Sequence, residues 1–390
     1  MGPALAGQVS AAPFAVPRGQ TTSAGLVNKV AVFGPDDRVE LPQSRRPIAR
    51  SIGLLYEQGS HSVCTAFCVG EATVATAGHC MYRTSGERAP RLTGFTFRLG
   101  GSKSTAITRI AGASSGAAAQ NVTAGTMSLS IHPPIDASRD WALVRLQQPV
   151  CKGATLPIKP RAPKELMKLA DAERVYQVAY HRDFENWRLA YGAPCAVKRS
   201  FGATDWDAIS HDFSDPEHLV LHTCDTGGAS SGSPLLVDGP SGPEVVGINV
   251  GTYVQSKVLL QNGKVVHRYQ ADTVANTGVS AQAFVERLAA FEGADIIASR
   301  VRLVELQALL AERGFYKGPR DGTFGPVLMS AIESFERSEG RPPMGLATTM
   351  VLHRLIAART QVVAKAGGGK RERLETGSVG SHQQTKARKP

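Results

Sequence analysis

The sequence predicts a mainly β chain that ends in a small helical unit. Three observations predict it. From about residue 47 to 278, short runs rich in Val, Thr and Ile alternate with turns containing Gly, Pro, Asn or Asp, as in "TVATAGHC", "GFTFRLGG", "WALVRLQQPV", "RVYQVAY", "HLVLHTC" and "EVVGINVGTY". Strands of this length and spacing build a sandwich or barrel, not a βαβ sheet. After residue 280 the apolar period becomes helical. The 390 residues also exceed one typical domain, so a second unit is expected.

Residues 1–46 are rich in Ala, Gly, Pro and Ser without a period and read as an extended leader. Their start, "MGPALAGQVSAAPFA", has no Lys or Arg before a short apolar stretch and makes a poor signal peptide, which reads as a truncated start. The β unit is expected over 47–292. Its last piece, "SAQAFVERLAAF", sets Phe284, Leu288 and Phe291 at helical intervals behind Ser280 as N-cap. A helical unit follows over 298–358. "VRLVELQALLAERG" aligns Leu303, Leu306 and Leu310 and stops at Gly314, "GPVLMSAIESFERSEG" aligns Ala331, Ile332 and Phe335, and "TTMVLHRLIA" closes it. The segment 366–390 is poor in apolar residues and predicts a disordered basic tail.

Hydrophobic residues make up 42% of the chain, enough for a sizeable core, and the formal charge is +11. The tail contributes +4 of it, from six basic and two acidic residues. Such a charge favours an anionic polymer or surface. No arginine-rich helix or aromatic RNA-binding motif is present, so nucleic acid is not an expected partner. No apolar run reaches 18 residues, so no spanning helix is expected. The six cysteines are Cys64, Cys68, Cys80, Cys151, Cys195 and Cys224. Cys64 and Cys68 lack a second ligand pair at zinc-site spacing, so no metal and no cofactor are expected. Disulfides are the better reading, and they imply an oxidising compartment: periplasmic or secreted.

Residues 224–236, "CDTGGASSGSPLL", set Ser230 beside Ser231. A hydroxyl becomes a nucleophile only with a base in reach, a group orienting that base, and donors for the oxyanion. "TVATAGHC" offers His79 as the base, and "SRDWALVRL" offers Asp140, which opens an apolar run and would need a partner once buried. Asp136 competes but does not directly precede that run. The order is His, Asp, Ser. Only Ser231 is followed by glycine, which lets the loop turn tightly and leaves room for substrate.

"TAGHC", "DWALVRL" and "SSGSP", in that order, resemble the trypsin/chymotrypsin superfamily, in particular its bacterial branch with the glutamyl endopeptidases. The resemblance implies two six-stranded antiparallel β-barrels with the active site between them. It implies Ser231 as nucleophile, His79 as general base and Asp140 as its orienting group, with the oxyanion met by the N–H groups of Ala229 and Ser231. Ala229 stands where glycine is usual, and its Cβ constrains that backbone. Ser230 replaces the aspartate that pairs with a new N-terminus in zymogen-activated members. Asp225 falls on the floor of the specificity pocket, where a carboxylate would select Arg or Lys; the competing reading is a loop hydrogen-bonding residue. Asn249 replaces the specificity histidine of glutamyl endopeptidases, which removes that support for glutamate preference. Cys64–Cys80 is the pairing the resemblance implies most directly, followed by Cys195–Cys224, with Cys68–Cys151 left over.

"LVELQALL", "GFYKGPRDGTFG" and "SAIESFERSEG" resemble the peptidoglycan-binding-domain family, a small three-helix module. The matching positions are Leu306, Gln307, Leu310, Gly314, Phe315, Tyr316, Gly318, Asp321, Gly322, Phe324, Gly325, Ala331, Ile332 and Phe335. Glu336 stands where glutamine is usual, and Arg341 interrupts the usual Gly-Leu-Pro. Most of the motif reads as folding residues. The expected function is a serine endopeptidase, monomeric and held non-covalently on peptidoglycan, that cleaves protein or peptide substrates. A module of this kind raises the local concentration of the enzyme near its targets. Two other readings remain: a non-catalytic wall-binding adapter, and an amidase acting on wall peptides.

Overall fold

The computed structural model describes residues 31–82, 90–100, 106–202, 205–255, 258–261, 264–268 and 272–360. Two seven-stranded sheets carry the β unit, and every neighbouring pair within them is antiparallel. The first sheet runs, in spatial order, Ile107–Arg109, Phe95–Leu99, Ile52–Glu57, Ser62–Gly70, Thr73–Thr76, Ala142–Arg145 and Val122–Ala124. The second runs Val39–Glu40, Leu189–Gly192, Tyr176–Tyr180, Pro234–Gly239, Gly242–Gln255, Asp272–Ser280 and Leu219–His222. A separate hairpin, Val258–Gln261 with Lys264–Arg268, stands off the second sheet.

The alternation of Phe95, Phe97 and Leu99 shows why these runs are strands. These three are buried while Thr96 and Arg98 are less so, the period-two pattern of a sheet with one inner face. Phe95 and Phe97 fill the first sheet's own core with Leu55, Val74 and Val144. A second cluster lies between the sheets and includes Phe67, Leu143, Val178, Leu236, Ile248 and Phe284. Full burial of each such side chain is worth about 1.5–3 kcal/mol.

Two expectations change. Each sheet has seven strands instead of six. The leader also does not extend to residue 46: from Ala31 on, the chain is built into the second sheet's surroundings, with Ala31 bridged to Thr226 and Val39 and Glu40 paired with Tyr191 and Ala190. These contacts join residues far apart in sequence, so local composition carries no trace of them.

Helix Val285–Glu292 buries Phe291 fully and Leu288 almost so, with Phe284 buried just before it. Ser280 caps the short 3-10 turn ahead of it by accepting from the Gln282 N–H. Three helices follow, Arg300–Glu312, Pro326–Ser338 and 349–360. Leu303, Leu306, Leu310, Ala331, Ile332 and Phe335 pack together at their centre. Gln307 is buried and serves the loop: its Oε1 accepts from Gly322 N at 2.8 Å and its Nε2 donates to the Thr323 carbonyl at 3.0 Å. Gly314 and Gly322 have φ of +80° and +72°, the left-handed region their turns require. Glu336 is buried and its Oε2 accepts from the N–H groups of Met344 and Gly345, at 2.6 and 2.9 Å.

The helical unit is seated on the β unit. Met344 and Leu346 belong to the cluster between the sheets, and Ala119 and Met127 of the β unit pack on the helical core. Arg287 donates to the Met344 carbonyl and lies 3.5 Å from Glu333. Ile297 N donates to the Ala347 carbonyl at 2.9 Å. Among the described residues no helix is long and apolar enough to cross a membrane.

Candidate active site

The site lies where the two sheets meet. Strand Thr73–Thr76 ends in a 3-10 turn, Gly78–Cys80, that carries His79. Asp140 ends another 3-10 turn, Ala137–Arg139, just before strand Ala142–Arg145, which pairs with Thr73–Thr76. That pairing brings the two side chains together. Asp140 is buried, and its Oδ2 lies 2.7 Å from His79 Nδ1 while its Oδ1 accepts from the His79 backbone N–H at 2.8 Å. One carboxylate therefore fixes both the ring and the backbone of the same histidine. The contact also assigns the ring proton to Nδ1 and leaves Nε2 as the basic nitrogen. Gly78 makes room for it, since a Cβ there would sit 3.1 Å from Asp140 Oδ1. Asp136 is engaged elsewhere, accepting from Ser130 N and from Ser214 Oγ.

Ser231 lines the same cavity as His79, a cleft of about 610 Å³. Its Oγ donates to the Val250 carbonyl at 3.5 Å. Ser230 is buried, and its Oγ accepts from Asn249 Nδ2 at 3.3 Å. The loop carrying them is pinned along its length. Thr65 N donates to the carbonyls of Ala229 and Ser231 at 2.9 and 3.0 Å, Thr65 Oγ1 donates to Ala229 O at 2.8 Å, and Gly232 N donates to Asn249 O at 2.8 Å. With the carbonyls held this way, the N–H groups of Ala229 and Ser231 have no acceptor among the described residues. Two unpaired donors flanking the serine are what an oxyanion site requires. Ala229 reaches this conformation at φ +79°, a left-handed backbone that costs a non-glycine residue about 1–2 kcal/mol.

Asp225, expected on the pocket floor, is buried and does not line the cleft. Its Oδ1 accepts from Phe33 N at 2.8 Å and its Oδ2 from Asp37 N at 3.1 Å. The chain thus uses it as a loop hydrogen-bonding residue, the competing reading. Asn249 does line the cleft, although its side chain is mostly spent on Ser230. The disulfides are Cys64–Cys80, Cys68–Cys151 and Cys195–Cys224. The first braces the turn that carries His79, and the last ties the nucleophile loop to the segment after strand Leu189–Gly192.

Several residues at the site gave no sequence signal. Thr65 clamps the loop, and Arg182 lines the cleft with its N–H on the Gly228 carbonyl at 2.6 Å. His181 and His222 flank the loop from inside. Gly227 N donates to His181 Nδ1 at 3.0 Å, and Cys224 N donates to His222 Nδ1 at 3.3 Å. Both rings accept these bonds as neutral imidazoles. Burial pushes each well down to about 4; the Arg38 charge adds to the effect at His181, and bonds to Asn249 and Thr277 oppose it at His222. Asp37 runs the other way, raised to about 6 by burial and then by the Asp225 charge.

The sign of the resulting pH dependence follows. Between about pH 6.5 and 4 the unfolded chain binds two histidine protons that the folded chain refuses, while the folded chain keeps one extra proton on Asp37. For these three groups the excess lies on the unfolded side, so their joint contribution to stability falls as pH drops through that window. Denaturant unfolding at pH 7, 5.5 and 4.5 measures this. A flat profile would show that these rings titrate normally in the folded chain.

A family model described as a trypsin-like peptidase domain matches residues 64–248, and one described as a putative peptidoglycan binding domain matches residues 299–355. Among curated proteins, the localization factor PodJL of Caulobacter vibrioides, in two strains, is 40% identical over 58 residues. That stretch covers 15% of this chain and only 6% of PodJL. Among solved structures, a Glu endopeptidase in complex with MPD is 18% identical, with TM-score 0.39, over 66% of this chain and 96% of that one. The thermostable serine protease AL20 from an extremophilic microorganism is 16% identical, with TM-score 0.38, over 62% and 95%. The protease Anisep from Arthrobacter nicotinovorans is 16% identical, with TM-score 0.38, over 62% and 92%. By these two family matches, the chain carries a trypsin-like peptidase domain followed by a peptidoglycan-binding domain.

Proposed function

We propose that this protein is a serine endopeptidase that works outside the cytoplasm, bound to peptidoglycan by its C-terminal domain. Ser231 attacks the scissile carbonyl, and His79 takes its proton and returns it to the leaving amine. Asp140 holds the ring and stabilises the imidazolium, and the N–H groups of Ala229 and Ser231 receive the oxyanion. An acyl-enzyme forms on Ser231 and is then hydrolysed. The observation that carries this reading is the double engagement of His79 by buried Asp140, in a cleft shared with Ser231.

The three disulfides fit an oxidising compartment, and wall binding would concentrate the enzyme on its targets. The contacts of Arg287, Met344 and Leu346 make the attachment a packed one, so the cleft would be held at a fixed attitude to the wall. A fluorophosphonate probe tests the chemistry on the full chain. The expected result is one adduct per molecule, on Ser231. Folded protein that takes no adduct, yet sediments with purified sacculi, would favour the non-catalytic adapter.

A further inference from the structure

The catalytic cleft has a charge that the nucleophile loop does not foretell. Its described lining residues include Arg182, His61 and His79 and no carboxylate. Arg182 makes no ion pair among the described residues and is exposed. Its backbone is held at the Gly228 carbonyl, one residue from the free N–H of Ala229, so its side chain starts at the rim of the oxyanion site. His61 also lines the cleft. Glu57 accepts from Gly59 N and Ser60 N and so builds the tight turn that carries His61 at φ +57°.

Among the described residues, Asp225 and Asp183 are carboxylates on the Arg182 side of the cleft, and residues 31–38 take up both. Asp225 is spent on the Phe33 and Asp37 N–H groups. Asp183, next to Arg182, is held by Arg38, whose NH1 and NH2 lie 3.2 and 3.0 Å from its two oxygens. The Arg38 side chain is itself only 4% exposed, and Asp36 holds it from the other side at 2.7 Å. A buried guanidinium clamped between two carboxylates keeps a fixed geometry. The N-terminal segment therefore leaves Arg182 without a carboxylate partner among the described residues.

Beyond His79 the surface changes character. A second trough of about 400 Å³ is lined by Leu129, Ile131, Ile135, Phe213, Tyr253 and Val254, with His79 shared between the two. Ile131 is 51% exposed there, an apolar side chain facing water beside the catalytic base.

Resting on the endopeptidase reading, we infer that the preferred substrate is a polypeptide with an acidic side chain in the Arg182 trough and an apolar one in the Ile131 trough. Arg182, not the residue at 249, supplies the acid preference, and Arg38 protects it by occupying Asp183.

The test is a peptide-library digest with the full chain, reading relative kcat/KM at each position around the cut. Wild type is expected to favour Asp or Glu over Lys at one position by about fivefold, the scale of a half-exposed charge pair. Arg182→Glu is expected to invert that preference while leaving the apolar preference in place. Arg38→Gln, which releases Asp183, is expected to weaken the acid preference, and Arg38→Gln with Asp183→Asn to restore it. Cleavage by wild type with no charge preference, or one unmoved by Arg182→Glu, would overturn the inference and leave the endopeptidase reading standing. Absence of both cleavage and labelling would instead overturn the endopeptidase reading, and this inference with it.

Discussion

Ser231→Ala is expected to lower kcat by about 10^6-fold and to abolish fluorophosphonate labelling, because loss of the nucleophile in a triad removes the acyl-enzyme route entirely. Its neighbour supplies the control. Ser230 is buried with its Oγ on Asn249, and its carbonyl accepts from Ser233 N at 3.0 Å. Ser230→Ala deletes one neutral hydrogen bond, a loss of about 1 kcal/mol in stability, and leaves the adduct in place. Burst kinetics with an ester substrate and mass mapping of the adduct read both variants. An adduct that survives Ser231→Ala, or vanishes with Ser230→Ala in folded protein, would remove the proposed chemistry. The two serines differ by one position in sequence. What separates them is burial: Ser230 is buried with its hydroxyl on Asn249, while Ser231 is only partly buried and its hydroxyl has a long, 3.5 Å contact with the Val250 carbonyl.

Gly232→Ala is expected to be the most damaging single methyl group in the loop. Gly232 has φ of +83°, and a Cβ there would run into Thr76 Oγ1 and the Thr65 carbonyl, with Ala77 N at 2.8 Å. All three belong to the wall formed by strands Ser62–Gly70 and Thr73–Thr76 and the residue that follows the second strand, and two of the contacts are rigid backbone. Left-handed strain of about 1–2 kcal/mol adds to overpacking of about 1–3 kcal/mol, for a total of about 3 kcal/mol. The loop can escape only by moving Ser231 away from His79, so labelling should slow as stability falls. Gly228→Ala is the comparison for stability, since its Cβ would meet only Arg182 Cβ at 3.6 Å. Denaturant midpoints for the pair would expose an error here if Gly232→Ala unfolds like wild type.

The local patterns were legible for physical reasons. Apolar spacing of 3.6 put Leu303, Leu306, Leu310, Ile332 and Phe335 on buried faces, and period two did the same for Phe95, Phe97 and Leu99. His79, Asp140 and Ser231 each sit in a short run whose neighbours are constrained by the turn, strand or loop that presents them. Residues 31–46 failed to read as structure because their partners, Asp225, Thr226 and Asp183, lie 145 to 195 residues away along the chain. Arg182 had no signal at all: an exposed arginine in a loop looks the same whether or not it borders a cleft.

By itself, the sequence determined the kinds of element, the order base, carboxylate, nucleophile, and the glycine that must follow Ser231. Tertiary structure alone decided which charges the cleft presents. Asp225 and Asp183 are acidic in sequence but already satisfied in the fold, by two amide N–H groups and by one guanidinium from the N-terminal segment. A carboxylate acts on a substrate only if no closer donor has claimed it, and that depends on distances between parts of the chain that no local pattern encodes.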